Sequence, residues 1–105
     1  MKVKAKVLKY MLSENEVKKQ VKDYLNLKGY FHYPNLQGLG AYKGIPDRIA
    51  IKNGRVLFIE VKKPGAKQSV NQLAFQSEIW QHGGHYILVK CLDDLIKSID
   101  EIEGR

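Results

Sequence analysis

The chain is poor in cysteine, in acidic residues and in unbroken apolar runs. A single cysteine among 105 residues, Cys91, leaves nothing to pair with inside the chain. A disulfide framework is therefore excluded, which fits a reducing, intracellular setting. No apolar run approaches the roughly 18 residues that a membrane span requires, so no membrane partner is expected. The opening MKVKAKVLKYML is basic but lacks a continuous apolar stretch and a small-residue cleavage site, and so does not read as a secretory signal. No repeat and no low-complexity tract interrupts the sequence. The 11 acidic residues are outnumbered by 18 lysines and arginines, for a formal charge of +7. That surplus suits a polyanionic partner, nucleic acid being the commonest, and is equally compatible with a merely basic soluble protein. The length is that of one domain with one modest core.

What is present reads as alternating helices and strands. Val3 to Val7 alternate apolar and basic residues, as in a short edge strand or a basic arm, and residues 1–12 read as a basic N-terminal extension. Ser13 and Glu16 form the capping-box pattern at a helix start. Val17, Val21, Tyr24 and Leu25 supply that helix with an apolar stripe, and Gly29 ends it. YFHYPN (30–35) predicts a short strand stopped by Pro34, and LQGLGAYKG (36–44) a glycine-rich loop. DRIAI and RVLFIEVKK are strand-like runs joined by Asn53-Gly54, a strong hairpin signal. Ser69 to about His82 predicts a helix closed by Gly83-Gly84. HYILVK (85–90) predicts a strand buried on both faces. Leu92, Leu95, Ile96, Ile99 and Ile102 mark a final amphipathic helix. The order α-β-β-β-α-β-α predicts an α/β or α+β layer with a central mixed sheet flanked by helices, and α/β is the class expected.

The hairpin carries the informative residues. A two-residue loop at Asn53-Gly54 sets Lys52 opposite Arg55, Ile51 opposite Val56 and Ala50 opposite Leu57. Continuing the count sets Asp47 opposite Glu60, with Cβ atoms about 4.5–5.5 Å apart. Ile49, Ile51, Val56 and Phe58 share the acids' face, and Ala50, Leu57, Ile59 and Val61 lie on the other. Two opposed acids at the end of such a pair call for a cation or a shared proton. An oxygen-only ligand set favours a hard divalent ion such as Mg²⁺ or Mn²⁺. Lys62 emerges on the same face, placed either to salt-bridge an acid or to orient a water and a phosphate. An ion-pair cluster without chemistry is the competing explanation.

Elsewhere the signals are weaker. His82 and His85 flank a Gly-Gly turn with too few partners for a zinc site. Trp80 with Val70, Leu73 and Ala74 reads as core. Phe75 and Ile79 fall on the other side of their helix, where they pack under the loops or form a dimer surface.

At Pro46-Asp47 and Glu60-Val61-Lys62 the chain resembles the PD-(D/E)xK nucleases. The wider run of GIPD, NGRVLFIEVKKPG, a helix containing Gln72, and GGHYILV is similar to the VRR-Nuc family in its small stand-alone form. The likeness runs from about Ser13 to Asp94, within a single domain spanning 1–105. It implies a restriction-endonuclease-like core and a metal-dependent phosphodiesterase. Asp47, Glu60 and the backbone carbonyl of Val61 would bind Mg²⁺ or Mn²⁺, and Lys62 would position or activate the attacking water. Gln72 matches the glutamine of the family's following helix. A first-helix glutamate is also implied. Glu16 is accounted for by the capping box, whereas Glu14 falls on the inward stripe and is favoured, reaching the ion directly or through a water. Lys18 departs from the family pattern beside it. The resemblance further implies branched or junction DNA as substrate, a homodimer, and a bacterial or phage-infected cytoplasm. Tyr42, Lys43, Lys63 and Lys67 are the candidate DNA contacts. A less selective nuclease or restriction-type subunit, and a non-catalytic nucleic-acid-binding module, are the alternatives.

Overall fold

The computed structural model describes residues 12–104. The strand or arm expected at residues 3–7 lies outside the described residues. The elements follow the expected order: α1 (Glu14–Leu27), β1 (Phe31–Pro34), β2 (Arg48–Lys52), β3 (Arg55–Val61), α2 (Val70–Gln81), β4 (His85–Val89) and α3 (Leu92–Glu103). The four strands form one sheet in the order β1-β2-β3-β4. β1 and β2 run antiparallel, as do β2 and β3, and α2 carries the chain across to a parallel β3–β4 pair. The α/β fold with a mixed sheet is therefore as the sequence implies.

Local chemistry explains where the elements start and turn. Both halves of the α1 capping box form: Glu16 N donates to Ser13 Oγ at 3.1 Å, and Ser13 N donates to Glu16 Oε1 at 2.8 Å. At the hairpin Asn53 and Gly54 both take positive φ, 52° and 77°, as a tight turn matched to strand twist requires. The register is the expected one, with Lys52 opposite Arg55 and Ala50 opposite Leu57.

The core lies between one face of the sheet and helices α1 and α3. Val17, Val21 and Leu25 meet Leu95 and Ile99 over Leu57 and Ile59. The opposite face is covered by α2, whose Phe75 packs edge-on to Phe58 with ring centroids 5.6 Å apart, and lies tilted against Tyr86. This corrects the reading of α2. Trp80 is 60% exposed, Val70 83% and Leu73 51%, whereas Gln72, Phe75, Gln76 and Ile79 are half-buried against the sheet. The inward residues repeat at i, i+3, i+4 and i+7, a helical stripe that mixes glutamines with apolar side chains. Phe75 and Ile79 thus pack inward, and the largest apolar group of the helix faces out.

The far end of the molecule is clasped by polar contacts. Tyr30 Oη donates to Glu103 Oε2, and the same carboxylate meets Lys28 at 3.3 Å and Lys52 at 3.8 Å. The end of α3 is thereby tied to the β1–β2 side of the sheet.

Candidate active site

The β2–β3 ladder closes at Arg48 opposite Ile59, one step short of Asp47 and Glu60. Asp47 sits at the mouth of β2, where two contacts from Asn35 fix the backbone. Asn35 N donates to Asp47 O at 2.8 Å, and Asn35 Nδ2 donates to Pro46 O at 2.8 Å. The Asp47 carboxylate then reaches across to β3, where Oδ2 accepts the Val61 N–H at 2.7 Å. Its other oxygen, Oδ1, faces the Lys18 ammonium at 3.7 Å. Lys18 in turn lies 3.5 Å from Glu14 Oε2, one helical turn back along α1.

Glu60 lies on the α2 side of β3 and is 4% exposed. The first turn of α2 reaches it. Gln72 Oε1 accepts from Ser69 N at 2.9 Å, completing a second capping box. Its Nε2 is thereby aimed at Glu60 Oε2, at 3.0 Å. Glu60 Oε1 is buried with no hydrogen-bond partner. Burial, then the charge of Asp47, pushes the Glu60 carboxyl up to about 7, with Lys62, a hydrogen bond from the Asp47 backbone and Lys18 pulling the other way. A buried carboxylate with an open oxygen beside a second acid is costly unless a cation or proton completes it.

That donor set suits a hard divalent ion: carboxylate oxygens of Asp47 and Glu60, with a peptide carbonyl in the chain between Glu60 and Lys62. The set is lean. Among the described residues, no group of three or more His, Cys, Asp or Glu side chains converges on one point. Glu14 reaches the site through Lys18.

The remaining candidates divide by position. Lys62 is half-buried beside the acids, while Lys63 and Lys67 are exposed in the turn that follows β3. Tyr42 is exposed on the glycine-rich loop, its ring edge-on to Phe75 at 5.8 Å. Lys43 and Gln72 both line a cleft of about 340 Å³ between that loop and the start of α2. Gly44 makes this docking possible. Its φ is +82°, and a Cβ there would fall on the Asn71 carbonyl. His82 spends its ring Nδ1 on the Glu78 carbonyl, as a helix-terminal residue does. Glu16 is occupied by its cap, so Glu14 is the α1 acid on the side of the site.

Two residues emerge that the sequence pattern did not place there. Lys18 is the cation between Glu14 and Asp47. Arg48 shares with Lys18 and Asp47 the wall of a cavity of about 220 Å³. Arg48 is aimed by His32, whose Nδ1 accepts from the guanidinium at 2.8 Å while Nε2 meets Asn26 Oδ1 at 2.7 Å. Because arginine only donates, this network fixes the neutral His32 tautomer with its proton on Nε2. Burial and the Arg48 charge hold the His32 pKa below its usual value. The sequence signal was thin: a basic residue immediately after the PD pair, with a histidine one strand away.

Comparison with known proteins bears on the fold. No family model matches the chain. "Putative nuclease p44" of Acyrthosiphon pisum secondary endosymbiont phage 1 is 37% identical over 54 residues, half of this chain. The chain covers 57% of that relative's length. A solved structure described as a VRR_NUC domain superposes with a TM-score of 0.72 at 26% identity, covering 83% of this chain and 94% of its own.

Proposed function

We propose that this chain, which has the VRR-Nuc fold and a phage relative named as a nuclease, is a divalent-metal-dependent endonuclease that hydrolyses phosphodiester bonds in DNA. The observation that carries the reading is Glu60 Oε1: a buried, partnerless carboxylate oxygen beside a second acid. A protein that only binds nucleic acid has no use for two acids held where a phosphate must approach.

Asp47 and Glu60, with the Val61 carbonyl, would hold Mg²⁺ or Mn²⁺, and Glu14 stands on the α1 side, linked to Asp47 through Lys18. The bound ion would lower the pKa of a water and neutralise charge on the phosphate. Lys62 orients the attacking water and faces the charge that builds on the phosphoryl oxygens. Gln72 keeps Glu60 aimed, because its other amide atom is committed to the helix cap. Tyr42, Lys43, Lys63 and Lys67 contact the DNA backbone, and such contacts are indifferent to sequence.

The preferred substrate in this reading is branched or junction DNA, cut by a homodimer that brings two sites to two strands. The exposed Val70, Leu73 and Trp80 face of α2 supports the dimer, since a large aromatic outside the core calls for a partner. The whole stretch 1–105 then acts as one nuclease domain, in the cytoplasm of a bacterial or phage-infected cell.

The test is incubation with a four-way junction, a flap and a linear duplex, with and without Mg²⁺ or Mn²⁺. Metal-dependent cleavage with preference for the junction is expected. Asp47→Ala should abolish cleavage while leaving DNA binding intact or tighter, because a negative charge is removed. Full cleavage by Asp47→Ala, or binding without cleavage by the native chain, overturns the reading.

A further inference from the structure

Helix α1 brings a cation of its own into the acidic site. The Lys18 ammonium stands 3.5 Å from Glu14 Oε2 and 3.7 Å from Asp47 Oδ1, bridging carboxylates from two different elements. Asp47 is thus divided: Oδ1 turns to Lys18, and Oδ2 is bound to the Val61 N–H. Glu60, with its partnerless oxygen, is held from the α2 side by Gln72, and the Lys18 charge also reaches it. The cavity that opens beside Asp47 has both Lys18 and Arg48 in its wall. A divalent ion between Glu14 and Asp47 would compete with the ammonium for the same oxygens and lie near the guanidinium. An ammonium offers three donors and no acceptor, so it cannot itself join the ligands of an ion.

We infer that Lys18 is a fixed cation standing in place of a second divalent ion: the site takes one ion, at Asp47 and Glu60, and Glu14 serves to hold Lys18. The inference rests on the nuclease reading of the site and adds its metal stoichiometry. Lys18 is a positioning residue in this scheme, acting through Asp47.

Calorimetric titration of the full chain with Mn²⁺, in chelator-treated buffer, reads the stoichiometry directly. The native chain and Lys18→Arg, which keeps the charge, should each bind one ion. Lys18→Gln should bind two, and its bound Mn²⁺ should show the spin–spin broadening of a close pair in electron paramagnetic resonance. Adding Glu14→Gln to Lys18→Gln should return the count to one and remove the broadening. Circular dichroism checks that each variant is folded, and Lys18→Met replaces Lys18→Gln if the amide disturbs α1. Two ions bound by the native chain, or one ion bound by a folded Lys18→Gln and Lys18→Met alike, overturns the inference and leaves the nuclease reading intact. No ion bound by any form sinks that reading and the inference with it.

Discussion

Glu60→Gln should make the metal-free protein more stable, and only at neutral or alkaline pH. The Glu60 carboxyl rises from an ordinary 4.5 to about 7 in the fold, through burial and then the neighbouring Asp47 charge. A raised carboxyl contributes stability that is fully present below pH 4.5 and is lost as pH rises through 7. At ~1.4 kcal/mol per pH unit, the gap amounts to about 3 kcal/mol as a ceiling, and relaxation around the charge lowers it to roughly 2. Glutamine keeps the shape and the oxygen that accepts from Gln72, and carries no charge to desolvate. With EDTA present, the two proteins should melt together near pH 4. Near pH 8 the variant should lead by about 2 kcal/mol, or roughly 10 °C for a domain of this size. Thermal melts followed by circular dichroism at both pH values measure the difference. Mn²⁺ at pH 8 should then raise the melting temperature of the native chain and leave the variant unmoved, because binding the ion needs the ionised carboxylate. An equal advantage at both pH values would trace the gain to packing. No advantage at pH 8 would mean that Glu60 bears no electrostatic cost, and the reasoning would fail.

Four further outcomes follow from the same structure. Gly44→Ala should lower the melting temperature and impair cleavage together, since the new Cβ collides with the Asn71 backbone. Gly40→Ala, at φ +87° with open space around it, should cost only the backbone strain, about 1 kcal/mol, and spare cleavage. Glu103→Ala should destabilise the chain by about 1–3 kcal/mol in chemical denaturation, because the largely buried Tyr30 loses its acceptor and two lysines lose their partner. Replacing Lys43, Lys63 and Lys67 with glutamine should flatten the slope of log affinity for DNA against log salt by about 0.9 for each of these lysines that neutralises a phosphate, as measured by fluorescence anisotropy.

Much of the architecture was legible because local rules and tertiary packing agree. Asn53-Gly54 permits one tight turn, so the count of facing residues ran correctly from Lys52 to Arg48. The stripes of α1 and α3 lie against one uniform apolar face, where periodicity alone is sufficient. Helix α2 misled because its two sides are both partly apolar. The choice between them was made by Phe58 and Tyr86, which receive Phe75, and by Glu60, which receives Gln72. Those are partners on other elements, and side-chain size along α2 carries no record of them. Hairpin register pointed to Asp47 and Glu60 as neighbours, and the observed ladder runs to the step before them. The link from Glu14 through Lys18 to Asp47 was not legible, because it depends on how α1 crosses the sheet. Arg48 and His32 were hidden for a similar reason: they meet across the β1–β2 pair, whose register no tight turn announces.

Gln72 performs two tasks with one side chain, closing the first turn of α2 and steadying Glu60. Winding that turn and steadying the buried acid are consequently linked through one side chain. Loss of the Ser69 cap would therefore be felt at Glu60, on a different element, through the one amide they share.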